Sequence, residues 1–200
     1  MTNKVFKETK PYLLEKYGKE KTDLIMNDAL KIYDSLCKLN ASEPKAVKAQ
    51  TFGNAYPAIS LYKALLNNDI AKEEAFEFMD FTYSARAKKS ADLMNKAFKI
   101  PGLYKLYPRM FKMVANKQFG EAAGFKSKFY DTEKTRCKFD MTKCLYCDVC
   151  KREGCFELVP CFCHTDDINN ANLHPKLIWN RKRFMGKGDD SCDFDIFVSK

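Results

Sequence analysis

Apolar residues recur at helical spacing through the first 120 residues. In "DLIMNDALKIYDSLCKL", Leu24, Ile25, Ala29, Ile32, Leu36 and Leu39 fall near the 3.6-residue period. "PAISLYKALLN" and "KEEAFEFMDFTYSARAKKSADLMNKAFK" repeat the pattern, with Gly53, Pro57, Pro101, Gly102 and Pro108 as punctuation. "NNDIAKEEA" offers an N-cap followed by acidic residues in a first turn. Pro101-Gly102 predicts a turn, and "LYKLYPRMFKMVANKQF" a further helix, with Pro108 at its start or kinking it.

The period then changes. "KSKFYDTEKTRCKFDMTKC" alternates Phe129, Thr135, Cys137 and Phe139 with polar residues and predicts one strand or two. "LYCDVCKREGC" has an amphipathic helical pattern. "KLIWNRKRFM" and "SCDFDIFVSK" flank the turn "GKGDD" and predict a C-terminal hairpin. The expectation is an α+β fold, a helical N-terminal half packed on a small antiparallel sheet. It is read as a single domain over 1–200, with a mainly helical part at 1–120 and an α+β part at 125–200. A lone hairpin with one helix would not be stable by itself.

Charge follows the same division. The chain carries +9, yet Asp131 to Lys200 holds 12 Lys+Arg against 12 Asp+Glu, so the excess lies before Asp131. Those lysines sit among glutamates at helical spacing, as on a solvated face, and no nucleic-acid recognition motif accompanies them. The N-terminus has no apolar signal region, and no stretch approaches a membrane span. The expected compartment is cytoplasmic, where thiols stay reduced. An odd count of nine cysteines also speaks against a closed disulfide framework.

The run "CLYCDVCKREGCFELVPCFCH", Cys144 to His164, holds six of those nine cysteines. Cys144-x2-Cys147 is a zinc-knuckle spacing, but Cys161-x-Cys163-His164 is a poor second half for a tetrahedral site. Cys144, Cys147 and Cys150 resemble the start of a ferredoxin run, which then departs: the fourth cysteine comes too late, before Phe156 in place of proline. No cofactor or metal is therefore expected. Buried thiols on a helix face are ordinary packing groups.

A nucleophile is the remaining chemistry. A thiol attacks as thiolate and needs a base or a helix N-terminus to form it. On a helix, Cys163, Asp166 and Asp167 share a face at i, i+3 and i+4. Glu157 lies one to two turns earlier. His174, before Pro175, reads as a surface or capping histidine. Arg181 and Arg183 alternate on the predicted strand and should point to one side, where paired guanidiniums suit a carboxylate.

Together, "FDMTKCLY…GCFELVPCFCHTDD…HPKLIWNRKRFMGKGDDSCDF" resembles the L-2-amino-thiazoline-4-carboxylic acid hydrolase family. The matching positions are Cys144, Gly154-Cys155-Phe156-Glu157-Leu158, Phe162-Cys163 with Asp166, and Arg181 through Gly188 to Cys192-Asp193-Phe194. One departure is clear. Where the family has Arg-Thr-x-Thr-Leu, this chain has Arg181-Lys182-Arg183-Phe184-Met185, without either hydroxyl. Cys147, Cys150 and Cys161 lie outside the pattern, consistent with packing. The terminal strand, glycine turn and Cys-x-Phe also resemble vinyl-reductase-type small-molecule-binding domains, many of them sensors or carriers.

The resemblance implies hydrolytic opening of a thiazoline or related cyclic amidine towards carbamoyl-cysteine, with a carboxylate-bearing small molecule as partner. It implies Cys163 as nucleophile or substrate contact, and Asp166 and Glu157 as acid/base groups. Arg181 would hold the substrate carboxylate, and Cys144, Cys192 and Asp167 would line the site. The competing reading is a binding domain without catalysis, motivated by the two missing threonines. A metal or iron–sulfur protein is the third.

Overall fold

The computed structural model describes residues 3–199. The chain is helical as far as residue 118 and α+β beyond it, as the change of period predicts. Helix α1 (Lys4–Leu39) opens at Asn3, whose side chain accepts the Val5 N–H at 2.8 Å and satisfies one orphan donor. It is not straight. Gly18 adopts φ 72° within it, and the Phe6 and Tyr33 rings meet edge to face 5.4 Å apart. A straight helix would hold those residues about 40 Å apart, so the two arms double back at Gly18. Glycine takes that left-handed φ without the Cβ penalty. On the second arm Ile25, Ala29 and Leu36 are buried, but Leu24 and Leu39 face solvent. Leu24 sits one residue, and so about 100°, round the helix from Ile25.

Helix α2 (Lys45–Gln50) runs through a π-helical turn, Thr51–Ala55, straight into α3 (Tyr56–Asn67). Helix α3 is buried on almost every side, between α1 and α4 (Lys72–Ala97). Such a helix is apolar all round because no face meets water. The start of α4 differs from expectation. Its N-cap is Ala71, with no side-chain cap, although Glu73 and Glu74 do stand in the first turn. Helix α5 (Tyr107–Gln118) carries Pro108 in its first turn, as α3 carries Pro57. Proline's fixed φ suits a first helical turn.

The second half builds one antiparallel sheet in the order β1-β2-β4-β3, from β1 (Lys126–Phe129), β2 (Arg136–Lys143), β3 (Leu177–Asn180) and β4 (Cys192–Val198). The alternating stretch is thus two strands, and the C-terminal hairpin is β3–β4. Register puts Phe129 opposite Phe139 and Phe139 opposite Phe194. Their rings stack at 4.6 and 4.5 Å between centroids, each such pair contributing about 0.5–1.5 kcal/mol beyond burial. Phe111 of α5 packs on Phe139 and Trp179 and covers this face. The other face is polar: Arg136 grips Asp195 with two bonds of 2.8 and 2.6 Å.

Between β2 and β3 lie α6 (Leu145–Arg152) and α7 (Val159–Asn170). Helix α6 stops at Gly154, at φ 70°, where Cys155 N–H returns to the Cys150 carbonyl at 2.9 Å. Helix α7 packs along α4. One hydrophobic cluster runs from Val5 on α1 to Ile196 on β4. No described helix is long and apolar enough to cross a membrane.

Candidate functional site

The apolar face of the sheet, α6 and α7 enclose a cavity of about 220 Å³. Met141 on β2 and Cys192 and Phe194 on β4 form its floor, and Phe162, Cys163, Asp166 and Asn169 of α7 form one wall. Cys144, Tyr146, Asn54 and Arg181 also face it, closed off by Phe119 and Phe125. Five residues expected from the sequence therefore converge: Cys144, Cys163, Asp166, Arg181 and Cys192.

Two others do not line it. Glu157 faces away, held by Lys72 Nζ and the Tyr62 hydroxyl, each at 2.9 Å. It sits in the short turn before α7, so its side chain leaves the shared helical face. Asp167 lies behind Arg181, accepting from Trp179 Nε1 at 2.8 Å and from the guanidinium at 2.6 Å. The arginine pair also separates. The chain leaves β3 after Asn180, so strand alternation no longer applies. Arg183 turns to the outer face, 3.9 Å from both Asp140 and Asp193, while Arg181 is 1% exposed.

Arg181 is already fully engaged. One fork nitrogen donates to Asp166 at 3.2 Å; the other donates to Asp167 at 2.6 Å and to the Cys163 carbonyl at 2.7 Å. Phe184 covers it, 4.9 Å from the guanidinium. The arginine so placed fixes two carboxylates and the end of β3 against α7. Neither Lys182 nor Phe184, which replace the family's threonines, lines the cavity.

The three cavity thiols differ. Burial pushes Cys163 well above its ordinary value, and Asp166 adds to this. Its Sγ is also pressed against Gly186, where a side chain would begin 2.8 Å away. Cys192 is pushed up to about 11, first by burial. Cys144 alone is lowered, first by the Cys147 thiol beside it. The backbone N–H groups of Cys147 and Tyr146 act in the same direction, because Cys144 is the N-cap of α6 and faces its positive end. Asp166 is pushed up to about 6 by burial, against the pull of Arg181, with 36% of its side chain open to the cavity.

Sequence reasoning missed Asn54, Tyr146, Thr165 and Asn169. Asn54 stands on the π-helical turn, a form concentrated at functional sites, and donates to the Tyr146 hydroxyl at 3.3 Å. Phe162, Thr165, Asp166 and Asn169 are i, i+3, i+4 and i+7 on one face of α7, so extending the Cys163–Asp166 face by one turn finds them. Asn169 Oδ1 is buried with no hydrogen-bond partner among the described residues. Asn54, Thr165 and Asn169 are also a common wall with an outer cleft that includes Lys4, Arg86 and Lys89. His164 and His174 stay outside the cavity. His164 Nδ1 meets Asp80 at 2.7 Å, and His174 stacks on Tyr104 and accepts the Lys176 N–H.

No curated protein matches this chain. Among solved structures, an H-NOX domain from Shewanella oneidensis in its Fe(II)CO ligation state is similar over 100% of this chain and 99% of its own. The identity is 13% and the TM-score 0.40. The family model of L-2-amino-thiazoline-4-carboxylic acid hydrolase matches residues 45–196, which hold every side chain lining the cavity, and the chain belongs to that family.

Proposed function

We propose that the cavity opens 2-amino-thiazoline-4-carboxylate, or a related small cyclic amidine, with water, towards carbamoyl-cysteine. The observation that carries this reading is a lowered thiol, Cys144, facing the same small aromatic cavity as a carboxylate poised near neutrality, Asp166. At about 220 Å³ the space is below the roughly 300–1,000 Å³ of drug-sized sites and suits a single ring with its carboxylate.

The nucleophile role expected of Cys163 passes to Cys144. Asp166 takes the Cys144 proton as the thiolate adds to the amidine carbon, and returns it to the ring atom that leaves. Water then adds to the same carbon, one of its protons passing to the amidine nitrogen and the other, through Asp166, to the departing Cys144, so the thiol is restored and one water is consumed per ring opened. Cys163 and Cys192 serve as walls. Arg181 acts as a positioning residue, holding Asp166 towards the cavity. The substrate carboxylate lies towards Asn54, Thr165 and Asn169, on the side of the outer cleft, where Lys4, Arg86 and Lys89 outnumber Glu8, since both fork nitrogens of Arg181 already donate within the protein.

Turnover of the thiazoline acid by Cys144→Ala and Cys163→Ala, measured side by side, tests this. Cys144→Ala should lose about two orders of magnitude or more in kcat, the scale of such a catalytic group. Cys163→Ala should keep most of its rate. Wild-type turnover by folded Cys144→Ala removes the assignment. A thiazoline acid that raises the wild-type Tm without ever being consumed points to the binding domain.

A further inference from the structure

The spacing Cys144-Leu145-Tyr146-Cys147 places two thiols across the first turn of α6. The Cys144 carbonyl accepts the Asp148 N–H at 3.1 Å, so the turn is helical from its start. Helix geometry sets Cα atoms three residues apart at about 5 Å, inside the roughly 4.4–6.8 Å that a disulfide spans. The two thiols are near enough to act on each other's proton affinity, and both are free. Their surroundings differ in the sense that exchange requires. Cys144 is in the cavity wall at the positive end of the helix; Cys147 is behind it and does not line the cavity.

A second pair sharpens the comparison. Cys150 and Cys155 also act on each other, and the Cys155 N–H donates to the Cys150 carbonyl at 2.9 Å. They join the inner side of α6 to the turn after it, and neither lines any of the cavities described. Thiol proximity is thus common to both pairs, and access belongs to one.

We propose that Cys144 and Cys147 are a redox-active dithiol that exchanges with low-molecular-weight disulfides entering the cavity. The Cys144 thiolate attacks one sulfur of the disulfide R–S–S–R. An S–S bond to Cys144 forms, and one RS⁻ leaves. Cys147 gives up its proton and attacks Cys144 Sγ, expelling the second RS⁻. The protein is oxidised by two electrons, and the small disulfide is reduced to two thiols. The intramolecular bond removes the Cys144 thiol from the cavity wall. This exchange does not rest on the hydrolase reading, because it is read by counting thiols and not by turnover.

The test equilibrates the reduced full chain with mixtures of 2-mercaptoethanol and its disulfide, a molecule small enough for the cavity, then alkylates, digests and maps each cysteine by tandem mass spectrometry. Two of the nine thiols should resist alkylation, reversibly with dithiothreitol. In the peptide 144–151 only Cys150 should carry the alkyl label, and Cys155 should stay fully alkylated. Cys147→Ser, which removes the resolving thiol, should accumulate one mercaptoethanol on Cys144. Retention of all nine thiols across the series overturns the proposal, as does oxidation mapped to Cys150 and Cys155. Failure of a Cys147→Ser protein with wild-type Tm to trap mercaptoethanol overturns it too. If that variant does not fold, the wild-type map alone decides.

Discussion

Replacing Arg181 by methionine keeps an unbranched apolar stem against Phe184 and Phe194 but removes the guanidinium. Three bonds disappear together: to Asp166, to Asp167 and to the Cys163 carbonyl. Removing one partner of a fully buried ion pair costs about 3–5 kcal/mol, because the other charge is stranded. Here the two carboxylates keep 36% and 42% of their side-chain surface and can recover water. That lowers the expected loss to about 2–3 kcal/mol. For a chain of this size each kcal/mol moves Tm by roughly 2–4 °C, so a fall of about 4–12 °C should appear in a thermal melt. A second readout separates this from general loosening. Arg181 pulls the Asp166 pKa down against burial, so its removal should carry that pKa further above 6. The acidic limb of kcat/KM should then move to higher pH, with Arg181→Lys intermediate because it restores charge without the fork. A Tm within about 1 °C of wild type would mean that the three bonds contribute no more than an exposed pair. An unmoved limb would mean that Arg181 does not set the Asp166 proton affinity.

Four further outcomes follow from the same geometry. The wild-type kcat/KM should rise with pH through about 6 as Asp166 ionises, and Asp166→Asn should abolish that limb. Because the folded-state pKa is raised, the Asp166 contribution to stability is fullest below its ordinary value of 3.8 and is lost as pH rises through about 6; urea melts across that window, against Asp166→Asn, should show it. Glu157→Gln breaks the ion pair with Lys72 outside the cavity, so kcat/KM should stay within about twofold of wild type, less than the roughly hundred- to ten-thousandfold scale of a catalytic proton carrier; a larger loss would return Glu157 to the site. Gly186→Ala would set a Cβ 2.8 Å from Cys163 Sγ and 3.0 Å from Val159 Cγ1, an overpacking that should cost about 1–3 kcal/mol in urea unfolding, and an unchanged midpoint would mean that the 185–187 turn yields freely.

Much of this was readable from local pattern. The shift from a 3.6-residue to a 2-residue period marks the change from helix to sheet because each backbone form presents side chains at its own interval. The i, i+3, i+4 face carries Cys163 and Asp166 to the cavity by the same rule. Proline at helix starts and glycine at Gly102 and Gly154 follow from single-residue sterics. Other features depend on contacts between residues distant in the chain. Gly18 was one small residue in a helical run, and only the meeting of Phe6 with Tyr33 reveals a reversal. Asp167 shares the helix face of Asp166, yet Trp179 and Arg181 draw it away. Cys144 and Cys163 are equivalent thiols on paper. The Cys147 thiol and then the open end of α6 lower one, and burial, with Asp166 beside it, raises the other. Periodicity is a property of the local backbone, so the chain's own order announces its helices, strands and turns. The electric environment of a thiol or carboxylate is a sum over everything packed around it, so it exists only once the chain has folded.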